Sequence, residues 1–149
     1  MTASLGIRTF SDEQLLRITR LFAGNDDLLT RVDPDATERV RIELDTTAYL
    51  EVWLMVWPSG TTTGWHDHGG ASGAFHVVRG GLTQETWRGG RLTESDLREG
   101  DEYSFTPGLV HNMINIGDDL ALTVHAYSPG LSEMTPHVWR AGRPEPIIT

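Results

Sequence analysis

The stretch Gly60 to Gly80, GTTTGWHDHGGASGAFHVVRG, decides how the rest of the chain is read. It sets His66 and His68 two positions apart in a segment punctuated by glycine. In extended backbone, side chains at i and i+2 leave the same face, so both imidazoles point one way and Asp67 the other. Two imidazoles so placed can bind one ion together. A third ligand is available downstream in Pro107-Gly108-Leu109-Val110-His111, where a turn delivers one histidine into the start of a strand. Three neutral nitrogen ligands leave coordination positions open, which is the catalytic rather than the structural arrangement.

Outward from this segment, turn signals recur at short intervals: Gly69-Gly70, Gly80-Gly81, Gly89-Gly90, Gly100-Asp101, Pro107-Gly108, Gly117-Asp118-Asp119 and Pro129-Gly130. Between them lie AFHVV, LTQETW, RLTES, EYSF, HNMINI, LALTVHAYS and EMTPHVW, each of strand length. Upstream, RIEL and YLEVWLMVW read as two strands separated by Asp45-Thr46-Thr47-Ala48. The second is apolar on both faces, as suits a strand buried in a sandwich. With 16 glycines and 7 prolines scattered without a repeat, the body is expected to be all-β, and evenly spaced short strands mean a jelly roll or barrel. Ahead of it, Ser11-Asp12-Glu13-Gln14 followed by Leu15, Leu16, Ile18, Leu21 and Phe22 predicts one capped helix stopping at Gly24-Asn25. Asp33-Pro34-Asp35 is expected to be a turn or the cap of a short second helix.

At 149 residues the chain is expected to form one domain with a single core. Its longest apolar run, Val52 to Trp57, is too short to span a membrane. The first residues have neither a basic nor an apolar targeting region, so a soluble cytoplasmic protein is expected. Zero cysteines exclude disulfides and thiolate metal sites. The formal net charge of −9, from 12 basic and 21 acidic residues, argues against nucleic acid or anionic membrane as a partner.

Gly60, His66, His68 and Gly80 at these spacings resemble the first cupin motif, and Pro107, Gly108, His111 and Asn115 resemble the second. Cupins usually carry a glutamate ligand shortly after the His-x-His pair, and that place is Gly73 here. Together with Thr123-Val124-His125-Ala126-Tyr127, this narrows the resemblance to the cysteine dioxygenase family of thiol dioxygenases, over roughly residues 41–127. It implies an all-β, single-domain cupin jelly-roll barrel spanning 1–149, with a short N-terminal helical segment over about 1–36 and the β-barrel over about 40–140.

The resemblance further implies one Fe(II) per chain on His66, His68 and His111, with O2 as co-substrate. The partner is then a small-molecule thiol, L-cysteine giving cysteine sulfinate, met by the chain as a monomer or a homo-oligomer. The alternatives are 3-mercaptopropionate, another cysteine derivative, or a non-catalytic small-molecule-binding cupin. Thr123, His125 and Tyr127 alternate along one strand and so share a face. By resemblance Tyr127 presents its hydroxyl to substrate and O2, His125 holds that hydroxyl, and Thr123, usually serine in the family, orients His125. Mammalian members crosslink a cysteine near the place of Gly73 to this tyrosine, which a chain without cysteine cannot do. An arginine pairing with the substrate carboxylate falls at Arg41, with Arg39 two residues away on the same face and standing where the family has tyrosine. Asn115 is expected to fix its loop by hydrogen bonding. His76, as a core histidine, and His137, near the end of the chain, are not expected to be ligands. Trp57 and Trp65 are expected to pack beside the metal loop, Trp65 as a candidate wall of the pocket.

Overall fold

The computed structural model describes residues 9–130 and 134–147, so residues 1–8 of the helical segment and Glu133, the start of the EMTPHVW strand, lie outside the described residues. The period-two segments become β1 (Val40–Thr47), β2 (Leu50–Trp57), β3 (His66–Asp67), β4 (Ser72–Arg79), β5 (Gly81–Arg88) and β6 (Arg91–Arg98). β7 (Glu102–Phe105), β8 (Val110–Ile114), β9 (Ala121–Ser128), β10 (Thr135–Arg140) and β11 (Arg143–Pro146) complete the set. They form two sheets, β1-β2-β9-β4-β7 and β11-β10-β3-β8-β5-β6. The chain passes from one sheet to the other at β2 to β3, β3 to β4, β4 to β5, and at every step from β6 to β10. That winding is the double-stranded β-helix of a cupin jelly roll.

The boundaries differ from the sequence reading in instructive places. β1 continues through Asp45 to Thr47, because a register shift between Glu43 and Asp45 absorbs the irregularity that reads as a break. The second helical turn is a 3-10 segment at Asp26–Arg31, ahead of Asp33-Pro34-Asp35, which is a turn closed by Asp35 N–H to Asp33 Oδ1 at 2.9 Å. β11 was not anticipated.

The helix α1 (Asp12–Ala23) carries the expected capping box: Gln14 N–H donates to Ser11 Oγ at 3.2 Å, and Ser11 N–H to Gln14 Oε1 at 2.8 Å. Leu15 is fully buried against Leu50, Val52, Leu54, Val124 and Ala126. Leu21, expected on the apolar face, is instead 71% exposed. The helix covers the outer face of the five-stranded sheet over β4, β7 and β9, and Leu28 of the 3-10 segment joins the same cluster as Leu50, Val52 and Leu54, so β2 and β9 are apolar on both sides. Their alternate residues, Met55, Trp57, Ala121 and Tyr127, form a second core inside the barrel with Phe75, Phe105 and Met113. His76 is not a core histidine. Its half-buried ring lies 3.3 Å from Glu102 Oε2, a carboxylate also held by Arg20 Nε at 2.8 Å, so it helps to moor α1.

Asn115 does hold its loop. Its Nδ2 donates to the Trp57 carbonyl at 2.8 Å and to the Asp119 carbonyl at 2.9 Å, and its Oδ1 accepts from Gly117 N–H at 3.0 Å. The side chain is 1% exposed, so water does not replace these bonds. Asn115→Ala is expected to lower the unfolding free energy by about 2–4 kcal/mol, the cost of one buried and two partly buried bonds, with two carbonyl acceptors and the Gly117 N–H left unpaired. Urea denaturation followed by circular dichroism checks it, and a loss below about 0.5 kcal/mol would refute the account.

Candidate metal centre and its hydrogen-bonded tyrosine

β3 is only two residues long because its task is local: it bridges β8 and β10, setting His66 directly opposite His111 and Pro136. His66, His68 and His111 converge inside the barrel, each offering a ligand nitrogen within 4.8 Å of the others, and all three are buried. His66 Nδ1–H donates to the Gly64 carbonyl at 2.9 Å, and His111 Nδ1–H to Gln84 Oε1 at 2.8 Å. Carbonyl oxygens only accept, so each Nδ1 carries its ring's proton and each Nε2 carries a lone pair. Those two Nε2 atoms stand 3.1 Å apart.

Burial, the largest influence on each ring, pushes all three histidines below the ordinary imidazole range. His68 falls to about 3, helped by His66, and His111 well below the usual value. The rings are therefore neutral near pH 7. Opposed lone pairs of neutral imidazoles, with His68 Nδ1 buried and without a hydrogen-bond partner among the described residues, fit a divalent cation in an all-nitrogen set.

Asp67 is turned away from the ligands, as the spacing predicts. Its Oδ2 lies 2.8 Å from His137 Nε2, and its Oδ1 accepts from Gly69 N–H at 2.9 Å. Burial pushes this carboxyl up, but His137 and the Gly69 amide outweigh it and hold it below its ordinary value. His137 is thus not at a frayed end. It sits on β10 and pins the ligand segment from behind, a partner that an outward-facing Asp67 calls for. Gly73 points into the barrel beside Phe105, where an added Cβ would come within 2.4 Å of the Phe105 ring tip. The ring of Phe105 stacks on His68 with centroids 4.6 Å apart, so apolar surface stands where a carboxylate ligand is usual.

A second constellation lies on β9. Thr123 Oγ1 is 2.7 Å from His125 Nε2, and His125 Nδ1 is 3.0 Å from the Tyr127 hydroxyl. Sequence reading missed the first member, Trp57, whose Nε1–H donates to Thr123 Oγ1 at 2.9 Å. Ala121 pairs directly with Trp57, and this small neighbour lets the indole reach the diagonal Thr123.

Trp57 can only donate. Thr123 is fully buried and has no other acceptor among the described residues, so its proton goes to His125 Nε2. His125 Nδ1–H then donates to the Tyr127 oxygen, which leaves the phenol proton free to point elsewhere. Burial first, with Glu51 adding to it, raises the Tyr127 pKa against the pull of Arg41 and Arg39, so the phenol keeps that proton.

Tyr127, His125, His66 and His111 line one cavity of about 260 Å³, with Arg39 and Arg41 on its wall. Both arginines reach it, so the choice left open by the sequence is not between one inside and one outside. Trp65 is not among the lining residues. It packs against Trp139, centroids 5.1 Å apart, and the wall it was expected to supply comes from Trp57.

A double-stranded β-helix with three neutral imidazoles converging inside it is the architecture of a metal-dependent cupin of the dioxygenase type. The chain belongs to the cysteine dioxygenase type I family, whose model matches residues 23–138. Among crystal structures, a conserved Klebsiella pneumoniae protein with a double-stranded β-helix domain is similar, with TM-score 0.62 and 22% identity over 72% of this chain and 90% of that one. A Thermus thermophilus protein has TM-score 0.61 and 17% identity over 70% of this chain and 96% of that one. An oxalate oxidase has TM-score 0.61 and 22% identity over 75% of this chain and 64% of that one. At these identities they show the fold alone. No helix among the described residues is long and apolar enough to cross a membrane.

His125 makes this site pH-sensitive in a calculable direction. Burial, reinforced by His68, lowers its folded pKa to about 3, whereas the unfolded chain takes up that proton below about 6.5. Stability carried by the neutral ring is therefore complete above about pH 6.5 and is lost as pH falls toward 3, by up to about 1.4 kcal/mol per unit. Unfolding free energies measured between pH 4 and 7 should fall less steeply in His125→Gln than in the parent, by about one proton. Equal slopes would contradict a buried neutral imidazole.

Proposed function

We propose that this chain is an iron-dependent thiol dioxygenase that converts a small carboxylate-bearing thiol to its sulfinate, with L-cysteine giving cysteine sulfinate as the reference reaction. The observation that carries the reading is the Tyr127 hydroxyl, hydrogen-bonded to His125 and lining the same cavity as His66 and His111. The reaction is R–SH + O2 → R–SO2H. Sulfur gives up four electrons, O2 accepts four, and both oxygen atoms end on sulfur, so no further reductant is required.

His66, His68 and His111 would hold Fe(II), the Nε2 lone pairs of His66 and His111 already oriented by Gly64 and Gln84. When bound, Fe(II) would supply a Lewis acid that favours the thiolate and a redox centre that lets O2 react with it. The chain supplies the rest. A guanidinium, Arg41 in the first instance, meets the substrate carboxylate through a charge-assisted hydrogen bond. Tyr127 offers its free proton as a donor to developing negative charge on oxygen. His125 and Thr123 fix the direction of that proton, and Trp57 fixes Thr123. Burial of the histidines and of Tyr127 keeps bulk water from the reacting atoms. The lack of cysteine means that Tyr127 works without a thioether crosslink.

His68→Ala should bind less than about a tenth of the parental iron and lose turnover, by elemental analysis and anaerobic loading followed by O2 uptake. Full iron content with normal sulfinate yield would overturn the ligand set. Tyr127→Phe should keep its iron yet lose turnover or uncouple O2 uptake from sulfinate. Trp57→Phe, which removes the terminal donor together with part of the ring that packs under Arg39 and in the inner core, should show a weaker form of the same defect, about tenfold. Unchanged coupling in Tyr127→Phe would reduce the β9 side chains to a structural stripe.

A further inference from the structure

Among its described lining residues the cavity carries two guanidiniums, Arg39 and Arg41, and no carboxylate. This runs against the chain as a whole, which has 21 acidic and 12 basic residues. Among the described residues neither arginine belongs to an ion pair. Each lies over an indole instead: Arg39 Cζ is 5.4 Å from the Trp57 ring centroid, and Arg41 Cζ is 4.7 Å from that of Trp53. A cation resting over a ring keeps N–H donors available for an acceptor. Glu51, the carboxylate on the adjoining part of β2, accepts from Trp53 Nε1 at 3.2 Å and does not line the cavity.

The backbone explains why both side chains arrive together. Arg41 on β1 pairs with Met55 on β2, an inward-facing residue, and Arg39, just ahead of β1, reaches the same cavity. Both residues remain exposed to solvent while lining the cavity. Partial burial and then the charge of Arg41 lower the Arg39 pKa, a repulsion that an anion bound between them would offset. A monocarboxylate such as L-cysteine or 3-mercaptopropionate meets one of them and leaves the other.

Resting on the thiol dioxygenase reading and extending it to the class of substrate, we propose that the thiol carries two anionic groups, one for each guanidinium, and that Arg39 is the residue that selects for the second. A short-chain thiol dicarboxylate has this chemistry, and its product is a sulfinate bearing both carboxylates. The modest volume of about 260 Å³ suits a molecule of that size rather than a peptide.

Two measurements on the full chain, loaded with Fe(II), separate this inference from the reading beneath it. In the first, succinate and propionate are titrated calorimetrically under anaerobic conditions, which asks for anion recognition without turnover. Succinate should bind at least tenfold more tightly than propionate, and Arg39→Gln should reduce that preference to about twofold or less. In the second, O2 uptake and sulfinate yield are compared for mercaptosuccinate, 3-mercaptopropionate and L-cysteine. The kcat/KM for mercaptosuccinate should exceed that for 3-mercaptopropionate at least tenfold in the parent, with the ratio collapsing in Arg39→Gln. Sulfinate from L-cysteine or 3-mercaptopropionate with no preference for the dianions would overturn the dianion inference and leave the dioxygenase reading standing. Arg39-dependent succinate binding with no thiol oxidised would do the reverse. A dianion preference that survives Arg39→Gln would overturn the role given to Arg39.

Discussion

Two imidazole nitrogens, His66 Nε2 and His111 Nε2, face each other at 3.1 Å with a lone pair on each, and the interior of the barrel is arranged to keep them so. Such an arrangement is repulsive in isolation. It persists because each ring is locked from its other nitrogen, His66 by the Gly64 carbonyl and His111 by Gln84 Oε1, and because burial denies both rings the extra proton that would relieve it. A cation held by these histidines would relieve that repulsion. The supports extend further back, to the Asp67–His137 pair behind the ligand segment and to Phe105, which stacks on His68 over the space above Gly73. These contacts leave the three-histidine donor set neutral and without a carboxylate beside it.

The same logic of obligatory donors and acceptors runs along β9. An indole N–H cannot accept, so its bond to Thr123 determines the direction of every bond after it and delivers a free phenol proton at Tyr127. Trp57 couples this chain to the rest of the fold in three ways. Its carbonyl accepts from Asn115, its ring lies under Arg39, and its side chain fills the inner core. The proton direction at Tyr127 and the position of one guanidinium therefore depend on one side chain, and the turn after β8 on the main-chain carbonyl at the same position.

The two-sided burial of the five-stranded sheet gives this machinery its rigidity. With α1 and the 3-10 segment closing the outer face, β2 and β9 are held by apolar contacts on both sides, so side chains on their inner faces sit on backbone that has little freedom to shift. The cavity itself departs from the acidity of the chain, since its wall carries cations at Arg39 and Arg41 and no carboxylate among the described residues.

What the sequence determined by itself was everything that follows from local periodicity. The glycine-punctuated strands implied an all-β barrel, the i, i+2 spacing put His66 and His68 on one face with Asp67 opposed, and the alternation in β9 put Thr123, His125 and Tyr127 on another. Ser11 and Gln14 announced the helix start, and the choice between Arg39 and Arg41 could be narrowed no further because both share a face. What only the tertiary structure decided were contacts between residues far apart in the chain. Gln84 holds His111 from β5, His137 holds Asp67 from β10, Phe105 fills the space above Gly73, and Trp57 begins the hydrogen-bonded chain at Thr123. Each of these residues has an ordinary local context: a polar residue at an inward position, a histidine near the end of the chain, one aromatic in an apolar strand and one at the end of an alternating strand. Their roles come from strand register across two sheets, and register depends on how the whole barrel closes, which no window of sequence contains.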